Sequence, residues 1–147
     1  MLKNKEILEI KNIVKNLNLI EHTDNNRKII LKMITSNSMN DIPLDKDILL
    51  DLGNKKIDLF VDRGTSLNTI MKNVENFIQN DKSLLSVISF FEVHPDYDVS
   101  LLYLSIDSVI DKYFDEKLTN SVFSTHIDKN INFGDINISI IFAYSYN

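Results

Sequence analysis

Apolar residues recur along this chain with two different periods, and these periods separate helices from strands. Spacings of three and four mark residues 6–17 and the segment that begins at Asp24, and they predict a helix in each place. A third helix is predicted after Ser66 and a fourth after Ser105. Like Asp24, both serines are suited to cap a helix N-terminus. The clearest helical stripe follows Ser66 and consists of Leu67, Ile70, Met71, Val74, Phe77 and Ile78.

Alternation of apolar and polar residues predicts the strands. It marks residues 121–128 and, most strongly, residues 136–146. Residues 85–93 carry apolar side chains on both faces, which is typical of a strand in the centre of a sheet.

A β-hairpin is predicted where residues 47–52 and 56–61 flank Gly53 and Asn54, because tight hairpin turns need residues that tolerate positive φ angles. The resulting element order is α-α-β-β-α-β-α-β-β. It predicts an α+β fold with a mixed or antiparallel sheet and helices packed on one face. The stripes predict that one helix packs on the sheet through Leu67, Ile70, Val74 and Phe77, against Val87, Phe91, Ile138 and Ile140.

The size and composition are those of one soluble domain. The chain has 147 residues, 44% of them apolar and none of them cysteine. We expect a single domain over residues 1–147, with residues 1–42 as an alternative separate helical hairpin. Without cysteine there is no disulfide, thiol nucleophile or thiolate metal site. No apolar run approaches the length of a membrane span, and the N-terminus leads into an amphipathic segment rather than a signal peptide, so we expect a cytoplasmic protein.

Charge is distributed unevenly along the chain. The formal net charge is −5: residues 1–32 carry +3 and residues 33–147 carry −8. An acidic protein repels nucleic acid and anionic membranes, so neither is an expected partner. The expected partner is a protein with a basic surface. The acids expected to contact it lie in and beside the predicted hairpin and are Asp45, Asp47, Asp51 and Asp58.

Several kinds of catalytic site are excluded by the residues present. The chain has only three glycines, Gly53, Gly64 and Gly134, so neither a dinucleotide-binding fingerprint nor a phosphate-binding loop can be written. The G-x-S-x-G motif of nucleophilic serine hydrolases is missing as well. We therefore expect no cofactor and no catalytic residue.

Two His-x-Asp pairs are the remaining candidates for metal chemistry. They are His94 with Asp96 and His126 with Asp128. Positions i and i+2 of a strand point the same way, so the second pair can reach one ion, and imidazole with carboxylate suits zinc, manganese or iron. Aspartate is also common in turns, and this favours a local role and no metal site.

An aromatic stripe in the last strand, formed by Phe142, Tyr144 and Tyr146, is interpreted as core packing, with an exposed binding strip as the alternative.

Three segments weakly resemble the C-terminal domain of the FtsZ family of tubulin-like division GTPases. Residues 98–101 (DVSL) precede a predicted helix, and residues 122–128 (VFSTHID) and 134–141 (GDINISII) follow it. The family has similar segments in this order, D-L-S-L, I-F-G-T-x-I-D and G-D-x-I-x-V-T-V-I-A. The resemblance covers residues 98–146 and implies a shared sheet topology and an assembly or docking surface. It implies no GTPase activity, because the glycine-rich GTP-binding signature is absent.

Three hypotheses of function follow from the sequence. The first is a non-catalytic protein-binding module, an acidic inhibitor, immunity or regulatory protein that docks on a basic partner. The second is a small metal-dependent hydrolase that uses the two His-x-Asp pairs. The third is an assembly module related to the FtsZ C-terminal domain. The sequence leaves the oligomeric state open.

Overall fold

The computed structural model contains both helices and strands and describes residues 4–35, 46–78, 84–112 and 120–145. The helices are α1 (Asn4–Lys15), α2 (Asp24–Thr35), α3 (Lys46–Asp51), α4 (Leu67–Phe77) and α5 (Val99–Asp111). The strands are β1 (Asn18–Leu19), β2 (Lys56–Gly64), β3 (Leu84–Val93), β4 (Asn120–Ile127) and β5 (Ile136–Tyr144). Within these described ranges, no helix has both the length and the apolar character needed to cross a membrane.

One mixed five-stranded sheet forms the centre of the fold, with the strand order β1-β2-β5-β3-β4. The β1–β2 and β3–β4 pairs are parallel, and β5 runs antiparallel to both of its neighbours, β2 and β3. Phe60 lies opposite Ile140 in one ladder, and Phe91 lies opposite Ile138 in the other. The predicted α+β class and mixed sheet are confirmed, and β3 has a neighbour on each side, as its two apolar faces predict.

The helices α4 and α5 cover one face of the sheet. Ile70 and Val74 of α4 are buried in a core that includes Val87, Phe91, Ile138 and Ile140, and Leu67 and Phe77 pack against its edge. The predicted contact between the helical stripe and these strands is therefore confirmed. From α5, Leu102, Ile106, Val109 and Ile110 enter the same core.

The opposite face of the sheet is also covered by helices, which differs from the one-sided arrangement that the sequence predicts. Here α1, α2 and α3 form a second core with the alternate residues of the same strands. The sheet contributes Ile57, Ile88, Phe90, Val122, Ile141 and Ala143. The physical reason is that β3 and β5 are apolar on both faces, and each face must be shielded from water.

The predicted hairpin is wrong in its first arm. Residues 47–52 are helical, because α3 is followed by a 3-10 turn over Leu52–Asn54, and Gly53 lies in that turn. Leu49 and Leu52, three residues apart, are buried together in the second core. A short apolar run fits the residue spacing of a helix as well as that of a strand, and here the packing of the two leucines favours the helix. The second arm is correct, since it forms most of β2.

Two of the three predicted helix caps are also corrected. Ser66 caps α4 as predicted, accepting a hydrogen bond from the Thr69 backbone N–H. The α2 helix begins at Asp24, but Thr23 is the residue whose hydroxyl accepts the Asn26 N–H. The cap of α5 is Asp98, seven residues before the predicted cap Ser105, which lies inside the helix.

Candidate functional site

Two adjoining clefts open at the end of the sheet where β2 and β3 finish and β5 begins. Each has a volume of about 470 Å³. One lies between α2 and the sheet, and the other lies beside the loop that joins β4 to β5. Arg63 and Asn137 line both clefts, and they are direct partners in the β2–β5 ladder. The loop turns into β5 at Gly134, whose φ of +93° lies in the region that favours glycine.

The charged groups around these clefts leave one cation unpaired. The backbone N–H of Arg63 donates to one carboxylate oxygen of Asp62, and the amide of Asn73 donates to the other. On the opposite wall, Lys32 and Glu92 form an ion pair of 3.0 Å. The Arg63 guanidinium has no ion pair within the described residues. A planar guanidinium beside carboxamide donors suits a carboxylate or a phosphate oxygen.

The first His-x-Asp pair serves a turn. The Nδ1 atom of His94 accepts the backbone N–H of Asp96 at 3.1 Å and lies 3.7 Å from the Asp96 carboxylate. The His94 ring also contacts Phe133 edge to face, with centroids 5.8 Å apart. In this turn His94 supplies the accepting side chain, and Asp96 contributes its backbone N–H.

The second pair is divided between a strand and a turn. Asp128 accepts the backbone N–H of Asn130 at 2.8 Å, and His126 lies in β4 beside Glu92 of β3. The Nδ1 atom of His126 is buried and has no hydrogen-bond partner. Across the described part of the chain, no group of three or more His, Asp or Glu residues is placed to hold a metal ion. The metal-dependent hydrolase hypothesis gains no support from this geometry.

The four acids predicted to contact a basic partner lie on different parts of the fold. Asp45 is outside the described residues. Asp47 and Asp51 are one turn apart on α3, which covers the second core, and Asp51 pairs with Lys55 at 3.0 Å. Asp58 alternates with Ile57 along β2, so it points to the other face of the sheet. Their role in partner binding stays a prediction.

Asp58 has a like-charged neighbour. Burial of its carboxyl raises its pKa, and the negative charge of Glu21 raises the pKa further. Glu21 follows β1, which pairs with β2 at the sheet edge. The described residues give the Asp58 side chain no cation partner. The charge of Glu21 therefore adds to burial in disfavouring the ionised form of Asp58.

The aromatic stripe of β5 is part of the core. Phe142 is fully buried and stacks at an angle on Phe77, and Tyr144 is 4% exposed. Both belong to the core beneath α4 and α5. The predicted core packing is therefore confirmed for these two residues, and Tyr146 lies outside the described part of the chain.

Comparisons with known proteins give matches of structure and none of sequence. Neither models of known protein families nor curated protein sequences match this chain. Solved structures do match it: a point mutant of FtsZ from M. jannaschii has a TM-score of 0.62 and 10% identity, and covers 82% of this chain. An empty FtsZ dimer from the same organism gives a TM-score of 0.62 at 9% identity, also over 82% of this chain. This fold resembles that of FtsZ.

TubZ gives a similar match. The structure of GDP-form protofilaments of TubZ from Bacillus thuringiensis serovar israelensis has a TM-score of 0.60 and 12% identity, and covers 82% of this chain. The chain spans 37% of the FtsZ mutant, 38% of the FtsZ dimer subunit and 35% of TubZ, a little over a third of each. The resemblance to an FtsZ-like domain that the sequence suggests is thus confirmed for the fold, and it extends beyond residues 98–146.

Arg63 and Asn137 are not among the candidate site residues predicted from the sequence. The sequence holds one signal for Arg63: the chain has only two arginines, and this one follows the predicted strand over residues 56–61, beside Gly64. Strand ends are common places for binding residues. No such signal marks Asn137, because asparagine is frequent throughout the chain. Only the β2–β5 register brings it to Arg63.

Proposed function

We propose that this chain is a protein-assembly module, which associates with copies of itself and does not turn over a substrate. The observation that carries the proposal is the likeness of its fold to FtsZ and TubZ over 82% of its length. The FtsZ match includes a dimer and the TubZ match is a protofilament, so this fold occurs in chains that assemble.

The surface of the protein supports the proposal. Several large apolar side chains stay exposed on the helices, on the loops and on β2, and exposed apolar residues occur at protein contacts. In the described residues they are Leu8, Ile20, Leu50, Val61, Leu101, Leu104 and Phe133.

Sedimentation velocity over a wide range of protein concentration tests the proposal. We expect the average sedimentation coefficient to rise reversibly with concentration, because association follows mass action. The Val74→Asp variant is the control, since it places a carboxylate at a fully buried position of α4. Assembly of folded subunits is lost in this variant, whereas non-specific aggregation persists. A parent protein that sediments as a monomer at every concentration would contradict the proposal.

A second candidate function is docking on a basic partner protein. The specific observation in its favour is the pair formed by Asp58 and Glu21, whose mutual repulsion a cation from a partner would relieve. Affinity capture at low salt with the parent protein tests it, followed by elution with rising salt. Replacing Asp58 with Asn and Glu21 with Gln should lower the salt concentration of elution. The matched control replaces Asp96 with Asn and Glu6 with Gln instead, and the idea is wrong if both variants elute alike.

A further inference from the structure

Helix α1 carries an exposed row of one leucine and two lysines. Leu8 is 62% exposed, and Lys11 and Lys15 follow it at spacings of three and seven residues. These spacings place the three side chains on one face of the helix. Neither lysine has a hydrogen bond or ion pair in the described structure. The groove between α1 and α2 that they line is also lined by two more cations, Arg27 and Lys28, and by one acid, Asp24, so the cations outnumber the acid.

Helix α5 carries a row with the same spacing and the opposite charge. Leu104 is 67% exposed, and Asp107 and Asp111 follow it at three and seven residues. Neither aspartate has an ion pair among the described residues, and the adjacent Lys112 contacts Glu75 at 2.7 Å. Burial raises the pKa of Asp107, and the charge of Asp111 raises it further. A cation beside this row would relieve the repulsion between the two carboxylates.

The two rows lie on opposite sides of the molecule. Helix α1 buries Ile10 and Val14 in the core on one face of the sheet, and α5 buries Leu102 and Ile106 in the core on the other face. The exposed rows of both helices therefore point away from the sheet in opposite directions. One molecule cannot bring its own two rows together.

We propose that α5 of one copy packs parallel to α1 of a second copy, with Leu104 against Leu8 and the two aspartates opposite the two lysines. The proposal rests on the assembly function proposed above. Only the parallel direction matches leucine with leucine and each acid with a base. The antiparallel direction places Leu104 opposite Lys15 and leaves a carboxylate against Leu8.

This contact is heterologous, because it joins two different surfaces. Its two surfaces lie on opposite sides of each molecule, so every bound copy offers a free row to the next copy. Contacts of this kind produce open chains unless the rotation closes a ring. Exposed ion pairs contribute little affinity but fix orientation and register, so the contact is sensitive to salt.

Charge reversal with mixing tests this contact by sedimentation velocity at low salt. One variant is Lys11→Glu with Lys15→Glu, and the other is Asp107→Lys with Asp111→Lys. Each variant places like charges in the contact, and we expect the association constant to fall roughly tenfold or more. An equimolar mixture should restore association. The native lysines on α1 of the second variant face the native aspartates on α5 of the first, and the new lysines on α5 of the second variant face the new glutamates on α1 of the first. The quadruple variant also restores association.

Two controls separate the contact from general effects of charge and folding. Lys72→Glu with Lys129→Glu changes the net charge as much as the α1 variant but lies outside both rows, and it should associate as the parent does. Leu104→Ser removes the exposed leucine without a change of charge and should weaken association. Unchanged association in both reversed variants, or a mixture that stays monomeric, overturns this contact and leaves the assembly function standing. A parent that never associates overturns both.

Discussion

The ammonium group of Lys32 on α2 lies 3.0 Å from the carboxylate of Glu92 near the end of β3. The two residues are sixty positions apart in sequence. Their side chains differ in exposure, since that of Lys32 is 60% exposed and that of Glu92 only 14%. The pair therefore joins the N-terminal helices to the sheet. If the pair is broken, Glu92 is the less solvated of the two unpaired charges.

Replacing Lys32 with Ala should lower the free energy of unfolding by roughly 1 kcal/mol, because a largely buried carboxylate is left without its cation. Adding Glu92→Gln to this variant should recover part of the loss, since the unpaired charge is then removed. Urea denaturation of the two single variants and the double variant measures the coupling between the residues. Lys28→Ala, an exposed change on the same helix, is the control and should have little effect. Additive losses at Lys32 and Glu92 would show that the pair contributes nothing.

The start of α5 offers a direct comparison of two candidate caps. Asp98 accepts the backbone N–H of Ser100 at 3.1 Å and the Ser100 hydroxyl at 2.6 Å, whereas Ser105 lies within the helix. Asp98→Ala should cost about 1 kcal/mol of stability through loss of the cap. Ser105→Ala should be neutral or slightly stabilising, since alanine is the better residue in a helix interior. Thermal melts of both variants decide the point, and a larger loss at Ser105 would contradict the observed helix start.

The positions where sequence reasoning succeeded share a physical cause. The apolar stripe of α4 repeats over three turns and is preceded by Ser66. The apolar spacing and the N-cap residue therefore predict the same helix. The first half of β5 is apolar on alternate positions, and this fixes which residues share a face. The strand β3 is apolar on both faces, and this fixes its place inside the sheet. In these elements the local pattern and the packing point to the same structure. Whether residues 1–147 unfold as one domain stays a prediction.

The failures share a cause as well. The run Ile48-Leu49-Leu50 fits a strand or a helix, and the tertiary contacts of Leu49 decide for the helix. The two-residue strand β1 is too short to leave any periodic signal. The cleft around Arg63 and Asn137 depends on strand register and strand order, and local sequence patterns predict neither.

Val74 provides a test of the core beneath α4. It is 0% exposed and lies among residues of α4, α5 and the sheet. Val74→Asp should destabilise the protein by several kcal/mol, about 3 or more, because a buried carboxylate has no partner there. Asn76→Asp introduces the same group at an exposed position of the same helix and should change stability little. Circular dichroism melts compare the two, and equal melting temperatures would show that Val74 is not in the core.

The carboxyl group of Asp58 should make stability depend on pH. Its pKa is raised above the ordinary value of 3.8, by burial first and by the charge of Glu21 second. The folded state therefore binds this proton more tightly than the unfolded chain does. Below pH 3.8 this group contributes its full share to the free energy of unfolding. That contribution falls as pH rises from 3.8 to the raised pKa, and above the raised pKa it is lost completely.

Asp58→Asn removes this loss. We expect the variant to be more stable than the parent at neutral pH by about 0.5 kcal/mol, a small value because water screens a half-exposed carboxylate. The difference should shrink as pH falls from the raised pKa to 3.8 and vanish well below 3.8, where the parent is protonated in both states. Glu21→Gln should give a smaller gain, since burial is the larger cause of the raised pKa. Urea denaturation at a series of pH values measures both variants. A gain at Asp58 that is the same at every pH would show that its charge is not the cause.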